Sequence, residues 1–497
     1  MILFGFQFTG LEFVPDLYYK KSNRVDSLPF LKKSETIDFG AYFHYFPIGL
    51  WKEFTDLKSL SFSIQFSGYL KIRLIGRRDG EDKILREIES DSGSIEIDFE
   101  LDTLSSNEYI FPEILALEDS QLLSAEYKTT DPPSNSIRLA LIITTYNRED
   151  YIRKNLEKIR TYYESRKEEI PFEIFLVDNA SNLNVPDSSF LNYIKNKNLG
   201  GSGGFTRGII SALDKKSFTH FCLMDDDVEV DPSFLERLFS FLSFLKKEYS
   251  EETISGSILR KDLPKIQYEW TGEWNGILQK INYRNLDLSG FQNLDSIKNR
   301  NTKKNTFSAW CLVCYPESYF QKNGLPLPLF IRGDDLEFSL RNKIQPILLK
   351  GFSVWHETFD PSKQRDWLAY YNTRNYLIIN FLYADFGRLK FFPLIGIRLF
   401  YYLLKKRKSI PFMKKAILDI LSPDSFWGEE TSDLLHKNLM KIQSEESIFL
   451  SCFKIIYSGM KVFRNYSGIQ STLKKKKSYL TGMEYWKEKV FRDELGN

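Results

Sequence analysis

Asp225-Asp226-Asp227 follow directly on the apolar run Phe218–Met224, and residues two apart on a strand point to the same side. Asp225 and Asp227 therefore stand together at a strand's carboxyl end, where open α/β sheets bind ligands. Carboxylates this close repel unless a cation or hydrogen bonds compensate, and hard oxygen donors suit Mg²⁺ or Mn²⁺ carrying a diphosphate. The plain alternative is a solvated acidic turn before the next helix, although Asp231 alone would serve as its cap. A second acidic pair, Asp334 and Asp335 in Arg332-Gly-Asp-Asp-Leu-Glu337, opens a helical stretch. These carboxylates could bind an acceptor hydroxyl and remove its proton, or simply serve the helix N-terminus. His356 ends the apolar stretch Ser353-Val-Trp-His. Its neutral imidazole could complete the coordination begun by Asp225 and Asp227, although a lone histidine is more often a structural hydrogen-bonding group. His44, His220 and His436 read as structural.

Between these acids lies Asn196-Lys-Asn-Leu-Gly-Gly-Ser-Gly-Gly-Phe-Thr-Arg207, whose four glycines would let backbone approach a ligand before an apolar helix begins at about Ile209. It is neither a dinucleotide fingerprint nor a Walker loop, and a flexible turn explains it equally well. Trp270, Trp274 and Trp310 offer flat faces for sugars, with core packing the commoner use of any single one. Cys311 and Cys314 have CxxC spacing, but two further ligands for zinc are missing, so they read as buried strand residues.

These residues need a scaffold, and the hydrophobic pattern supplies one. Leu139–Thr145 and Phe172–Asp178 are continuous apolar runs of the kind buried on both sheet faces. A helical stretch from Asp150 to Arg166 separates them, and another is expected from Pro232 to about Tyr249. Alternating strand and helix make a βαβ nucleotide-binding pattern over residues 137–360. Residues 1–128 alternate differently: Leu60, Phe62, Ile64 and Phe66 interleave with Ser and Gln, the mark of an all-β sandwich. The polar, proline-bearing segment 129–136 is the linker, and residues 361–497 form a helical C-terminal domain with the basic clusters 405–408, 414–415 and 474–477.

A chain of 497 residues exceeds one core, and a net charge of +2 gives no field to attract nucleic acid, which is excluded as a default partner. Four cysteines cannot frame a disulfide scaffold, and Met1–Phe6 lacks a basic stretch ahead of an apolar core, so the expectation is a cytoplasmic protein. The most apolar stretch, Phe391–Leu404, is short and holds Arg398. With Lys405-Lys-Arg-Lys408 behind it, it either packs as core or lies peripherally on an anionic membrane, at the inner face of the cytoplasmic membrane.

The ordered set Thr144-Thr-Tyr-Asn-Arg148, Val177-Asp-Asn-Ala-Ser181, Asn198-Leu-Gly-Gly-Ser-Gly-Gly-Phe205, Met224-Asp-Asp-Asp227, Arg332-Gly-Asp-Asp335 and Trp355-His-Glu357 resembles family 2 glycosyltransferases of the GT-A fold. More narrowly it resembles their galactofuranosyltransferase branch, whose members have an N-terminal sandwich, a central GT-A domain and C-terminal helices. The resemblance implies an inverting transferase with Asp225, Asp227 and His356 as ligands of Mn²⁺ or Mg²⁺, Asp335 as general base and Asp334 on sugar hydroxyls. It implies that Arg148 and Asp178 hold the uridine nucleotide, Asp178 near the base. Asn198, Gly200, Gly201, Arg207, Asp226 and Trp310 are the further donor-side candidates, and Trp274 and Glu357 the acceptor-side ones. The implied donor is UDP-galactofuranose and the acceptor a glycan or glycolipid of the cell envelope, with a homo-oligomer left open. The rivals are a same-fold transferase with another donor, such as dTDP-rhamnose, and a non-catalytic carbohydrate-binding protein.

Overall fold

The computed structural model describes residues 1–8, 14–21, 28–105, 109–166, 170–185, 188–358, 364–383, 388–423, 431–442 and 447–491. The N-terminal strands pair into two antiparallel sheets. One contains Ile2–Gly5, Ser59–Ser67, Ser94–Glu100 and Ser120–Lys128, and the other is built on Leu70–Arg78, Glu81–Ser90 and Tyr109–Ala116. Leu60, Phe62, Ile64 and Phe66 of the first meet Ile72, Leu74, Ile110 and Ile114 of the second in one core. The Tyr127 hydroxyl crosses between the sheets to donate to the Ile110 carbonyl at 3.0 Å.

The central sheet is built on β1 (Leu139–Thr145), β2 (Phe172–Asp178), β3 (Leu191–Lys195), β4 (His220–Asp225), β5 (Ile254–Arg260), β6 (Ile266–Glu269), β7 (Leu312–Pro316) and β8 (Ile347–His356). The order runs β3-β2-β1-β4-β7-β5-β6, with β8 alongside β5. β1 lies parallel to β2 and β4, with Thr145 opposite Asp178 and Thr144 opposite Asp225. Every residue of β1 is buried, as its unbroken apolar run requires. β7 runs antiparallel to β4, which brings its leading residue Cys311 beside Asp225: the Asp225 N–H donates to the Cys311 carbonyl at 3.2 Å.

Two helices differ from the sequence expectation. The glycine segment is not a loop, because helix α2 already starts at Gly200 and runs to Lys215, following α1 (Glu149–Arg166). Two of its glycines serve packing. A Cβ on Gly204 would lie 1.9 Å from Thr144 Oγ1 and one on Gly208 would lie 2.4 Å from Ile142 Cγ2, so only bare backbone lets the helix settle on β1. The expected helix from Pro232 to Tyr249 is α3, Phe234–Ser243, with a separate 3-10 turn at Lys247–Tyr249. The chain leaves the helix because Leu245 bridges to Thr55 of the N-terminal region. Asp231 is not a simple cap either. It accepts from the Ser233 N–H at 3.0 Å but also from Gln7 Nε2 at 2.6 Å and the Tyr18 hydroxyl at 2.7 Å, tying the sandwich to the central sheet.

α4 (Asp334–Asn342) and α5 (Leu368–Leu382) follow, then α6 (Phe391–Lys405), the helices Ile410–Ile420 and Thr431–Met440, α7 (Ile448–Arg464) and the helix Tyr466–Leu480. α5 is apolar nearly all round and is buried accordingly, sharing a core with Ala140, Ile142 and Phe221 of the central sheet. Among the described residues, no helix is long and apolar enough to cross a membrane.

Candidate active site

Thr145, Asp178 and Asp225 end three neighbouring parallel strands at one edge of the sheet. His356 ends β8, and its Nε2 lies 3.1 Å from Asp227 Oδ1 while Nδ1 faces the Glu357 carbonyl at 2.5 Å. That second contact fixes the ring so that Nε2 points at the acids. Arg148 pairs with Asp226 at 3.1 Å and also with Asp227. Asn155, inside α1, donates to the carbonyls of Asp226 at 3.3 Å and Val228 at 2.9 Å, which holds the turn that carries the acids.

The electrostatics follow from crowding. Burial, with the charge of Asp227 second, pushes the Asp225 carboxyl up to about 7. Burial also acts on Asp227, but the hydrogen bond and charge of His356 and the Arg148 guanidinium outweigh it and hold that carboxyl at about 2. Burial lifts Asp226 as well, against the pull of Arg148.

One oxygen of Asp225, Cys311 Sγ and one ring nitrogen of His356 lie within 4.8 Å of one another. Cys311 donates to Asp225 Oδ2 at 3.1 Å. The expectation of two buried strand cysteines holds in full for Cys314, which sits within β7, whereas Cys311 is buried but precedes the strand and faces Asp225. Asp227 is outside this trio and pairs with Arg148 and His356. Two carboxylates and an imidazole at a strand end, with excess negative charge, are a donor set that fits a divalent cation.

The second acidic pair occupies the first turn of α4 behind Gly333, whose φ is 82°. Asp335 Oδ1 accepts from the Leu336 N–H at 2.7 Å, so one of its oxygens serves the helix terminus. Burial and the neighbouring Asp335 push Asp334 up to about 8, and burial lifts Asp335 to about 6. Asp334 also feels the charge of Asp225, and a Cβ on Gly201 would sit 3.5 Å from Asp334 Oδ2, so both acidic clusters and the start of α2 face one cleft.

The approach to this pair is strained. Phe330 and Arg332 have φ of 71° and 69°, a region bulky residues rarely adopt. The C-terminal helix α5 imposes it. Asn375 donates to the carbonyls of Leu329, Ile331 and Arg332 at 3.1, 2.8 and 2.7 Å, and Arg374 to Leu329 at 2.8 Å. From the other side Ser202 of α2 donates its N–H to the Phe330 carbonyl at 3.2 Å, and its Oγ accepts from the Phe330 N–H at 2.9 Å. Gly200, at φ 68°, is required here because a Cβ would lie 2.1 Å from that carbonyl oxygen.

Other expected site residues are placed differently. Asp178 is fully buried, and its oxygens accept from the N–H groups of Ala180, Asn182 and Leu183 and from the Tyr193 hydroxyl at 2.8–2.9 Å. In this conformation it shapes the loop after β2 rather than offering a free oxygen. Asn198 Oδ1 accepts from the Gly200 N–H at 3.2 Å. Arg207 is buried with its guanidinium 5.0 Å from the Phe491 ring, a packing contact with the C-terminal segment. Trp310 is buried edge-on to Phe205 and donates to the Tyr315 hydroxyl at 3.2 Å, and Trp270 is wholly core. Trp274 packs at 5.2 Å from Tyr376 on the wall of a cavity beside Arg332. Glu357 is exposed and accepts from the Tyr151 hydroxyl at 3.3 Å.

Glu269 carries no local motif that marks it in the sequence. It ends β6, and burial, with the charge of Asp335 second, pushes it up to about 7 against the pull of Arg284, His356 and Arg332. Only the sheet order carries β6 to the cleft.

The sequence model of glycosyl transferase family 2 matches residues 140–291, the segment that contains Asp225 to Asp227. Two curated relatives align: galactofuranosyltransferase GlfT2 of Mycobacterium tuberculosis, 22% identical over 70% of this chain, and that of Mycolicibacterium smegmatis, 23% identical over 70%. The chain spans about three-fifths of the length of each, 59% and 58%. Among solved structures, a mannosyltransferase from Pyrobaculum calidifontis in complex with GDP-Man and Mn2+ overlaps 70% of this chain and 87% of its own, at 13% identity and a TM-score of 0.32. The ends of β1 and β4, with Asp225 to Asp227, thus lie in the segment that matches glycosyl transferase family 2, and the chain is similar over 70% of its length to two galactofuranosyltransferases.

Proposed function

We propose that this chain is an inverting, divalent-metal-dependent glycosyltransferase that moves galactofuranose from UDP-galactofuranose to a glycan or glycolipid of the cell envelope. The observation that carries this reading is the convergence of two acidic clusters on one cleft, Asp225 with Asp227 and Asp334 with Asp335, with unlike surroundings. Two chemical tasks need two such groups. Asp335, whose carboxyl ionises near neutrality, takes the proton of the acceptor hydroxyl as its oxygen attacks the anomeric carbon. The bond to the diphosphate oxygen breaks with its electron pair on UDP, and attack from the opposite face inverts the centre. Asp334, held protonated at neutral pH, donates a hydrogen bond to a sugar hydroxyl. Asp225, Asp227 and His356 would hold Mg²⁺ or Mn²⁺, which supplies Lewis-acid neutralisation of the leaving diphosphate. Arg148 and Asp226 border the same site, and Arg148 must release Asp227 when the cation binds. The donor assignment is supported by the names of the two curated relatives. It is tested by a screen of UDP- and dTDP-sugars for divalent-cation-dependent turnover. Release of UDP from UDP-galactofuranose well above all others is expected, whereas faster turnover of a dTDP-sugar would replace this donor, and no turnover of any would favour a binding protein.

The place of action is proposed to be the cytoplasmic side of an anionic membrane, with peripheral attachment. α6 buries Phe391, Leu394, Ile395 and Tyr402 but leaves Phe400 65% and Leu404 62% exposed. α7 packs beside it and presents Phe449 at 86% and Phe453 at 61%. Apolar faces of this size beside Arg388, Lys390, Lys405, Lys406, Arg407 and Lys408 match an anionic lipid surface, each basic residue contributing about 1 kcal/mol. The protein is expected to sediment with anionic vesicles at low salt, to be released as salt rises, and to lose binding when residues 405–408 are changed to Gln. Equal binding to neutral vesicles at every salt concentration overturns the electrostatic part.

A further inference from the structure

β8 carries a lysine although all ten of its residues are buried: Lys350 is only 6% exposed. Buried lysines are rare unless their charge is paired. Among the described residues Lys350 has no carboxylate within ion-pair distance, and its Nζ donates to one acceptor, the Tyr109 hydroxyl, at 3.0 Å. An ammonium has three N–H donors, so two are left without a protein acceptor. Lys350 and Tyr109 line a cavity of about 330 Å³ between the sandwich, which also contributes Asp79, and the central domain, which also contributes Asp295, Lys298 and Asn299. Boundaries between domains are a common place for small-ligand sites. The lining includes none of the cleft residues Asp225, Asp227, Asp335 or His356. Burial brings the Lys350 ammonium down to about 8 against the charge of Asp295, so its charge is held there at a cost that a bound anion would relieve. Asp79, Asp295 and Lys298 are exposed at the mouth, and Asp79 pairs with Arg78 at 3.4 Å.

A cation with unused donors at the inner end selects a ligand with a negative group. Two carboxylates at the mouth repel further negative charge, so one carboxylate fits better than a doubly charged phosphate. The mouth mixes acceptors, Asp295 and Asp79, with donors, Lys298 and the Asn299 amide, and hydroxyls match such a mixture because they both donate and accept. The ammonium of an amino acid would instead lie between two lysines. We propose that this cavity binds a uronate, a sugar ring whose carboxylate accepts from Lys350 Nζ, with Lys298 as a second cation at the mouth, and whose hydroxyls meet Asp295 and Asn299. The chain then holds an acidic glycan at a second place, between the sandwich and the central domain. This inference uses neither the donor assignment, nor the metal, nor the role of Asp335.

The test is a calorimetric titration of the full chain at pH 7 with methyl glucuronide, methyl glucoside and acetate, in the presence of UDP so that binding at the donor cleft does not count. It is repeated in Lys350→Met and Lys298→Gln. Methionine keeps the apolar stem and removes a buried charge without a carboxylate partner, so Lys350→Met should fold with a Tm no lower than that of the wild type. Lys298 is exposed, and its replacement leaves the core intact should the first variant fail to fold. Methyl glucuronide is expected to bind on the order of tenfold or more tighter than either other probe, to lose about tenfold or more in Lys350→Met and to lose roughly threefold in Lys298→Gln. Acetate binding as tightly as the glucuronide would make this a carboxylate site without sugar recognition, and the glucoside binding as tightly would make it a neutral-sugar site. Either result overturns the proposal, as does the absence of glucuronide binding or glucuronide binding that neither substitution moves.

Discussion

Asp335→Asn is expected to lower kcat by two to four orders of magnitude while leaving UDP binding intact, about 10² to 10⁴ being the usual contribution of a positioned base. The amide retains the acceptor for the Leu336 N–H, so the first turn of α4 stays capped and the loss reports on proton transfer. The pH profile gives a second readout. Burial lifts the carboxyl to about 6, and a base works only when ionised, so kcat/KM should rise about tenfold per pH unit below that value and level off above it. Asp334 and Asp335 titrate as a pair, and the observed limb belongs to both. Asp335→Asn should lack the limb in its residual activity. A fall of less than tenfold would mean that Asp335 is a helix-terminus residue.

The parts of this site that are legible in the sequence are those fixed by local pattern. Asp225 and Asp227 can be read there because an unbroken apolar run must be a buried strand, and residues at the carboxyl end of such a strand emerge at the sheet edge. The glycines signal close approach, but the sequence does not say to which partner. Gly204 meets Thr144 on the neighbouring strand and Gly200 meets the Phe330 carbonyl, and periodicity cannot tell bare backbone needed by packing from bare backbone needed by a ligand. Cys311 and Glu269 reach the site only through strand order, by the antiparallel insertion of β7 beside β4 and of β6 beside β5, which no local pattern encodes. The largest gap is α5. Its Arg374 and Asn375 lie about forty residues beyond the acidic pair and hold the backbone of Leu329 to Arg332 in a conformation that chain would not adopt alone. Buried polar side chains on an otherwise apolar helix are the available signal, since such groups persist only when they are fully bonded.

Asp225→Asn and Asp227→Asn are each expected to reduce transfer by about three orders of magnitude, which is what several kcal/mol of charge stabilisation at the leaving group amounts to. Folding should survive, and for Asp225 the sign can be worked out. Its folded carboxyl stands at about 7, above the ordinary value of 3.8, so the folded chain binds its proton more tightly than the unfolded chain does. This group therefore costs stability progressively as pH rises from about 4 through 7, and above that its ionised form is a net burden. Asp225→Asn removes the burden, and its Tm at pH 8 without added cation should be no lower than that of the wild type. Asp227 behaves oppositely, since its carboxyl is held at about 2 by His356 and Arg148, and its replacement should lower Tm because it leaves those partners without their acceptor. Addition of Mn²⁺ should then raise Tm of the wild type in proportion to RT ln(1 + [Mn²⁺]/Kd) and leave Asp225→Asn unmoved. Equal rises in both proteins would place the bound ion away from Asp225, and the cleft would then have to neutralise the diphosphate with Arg148 and its neighbours alone.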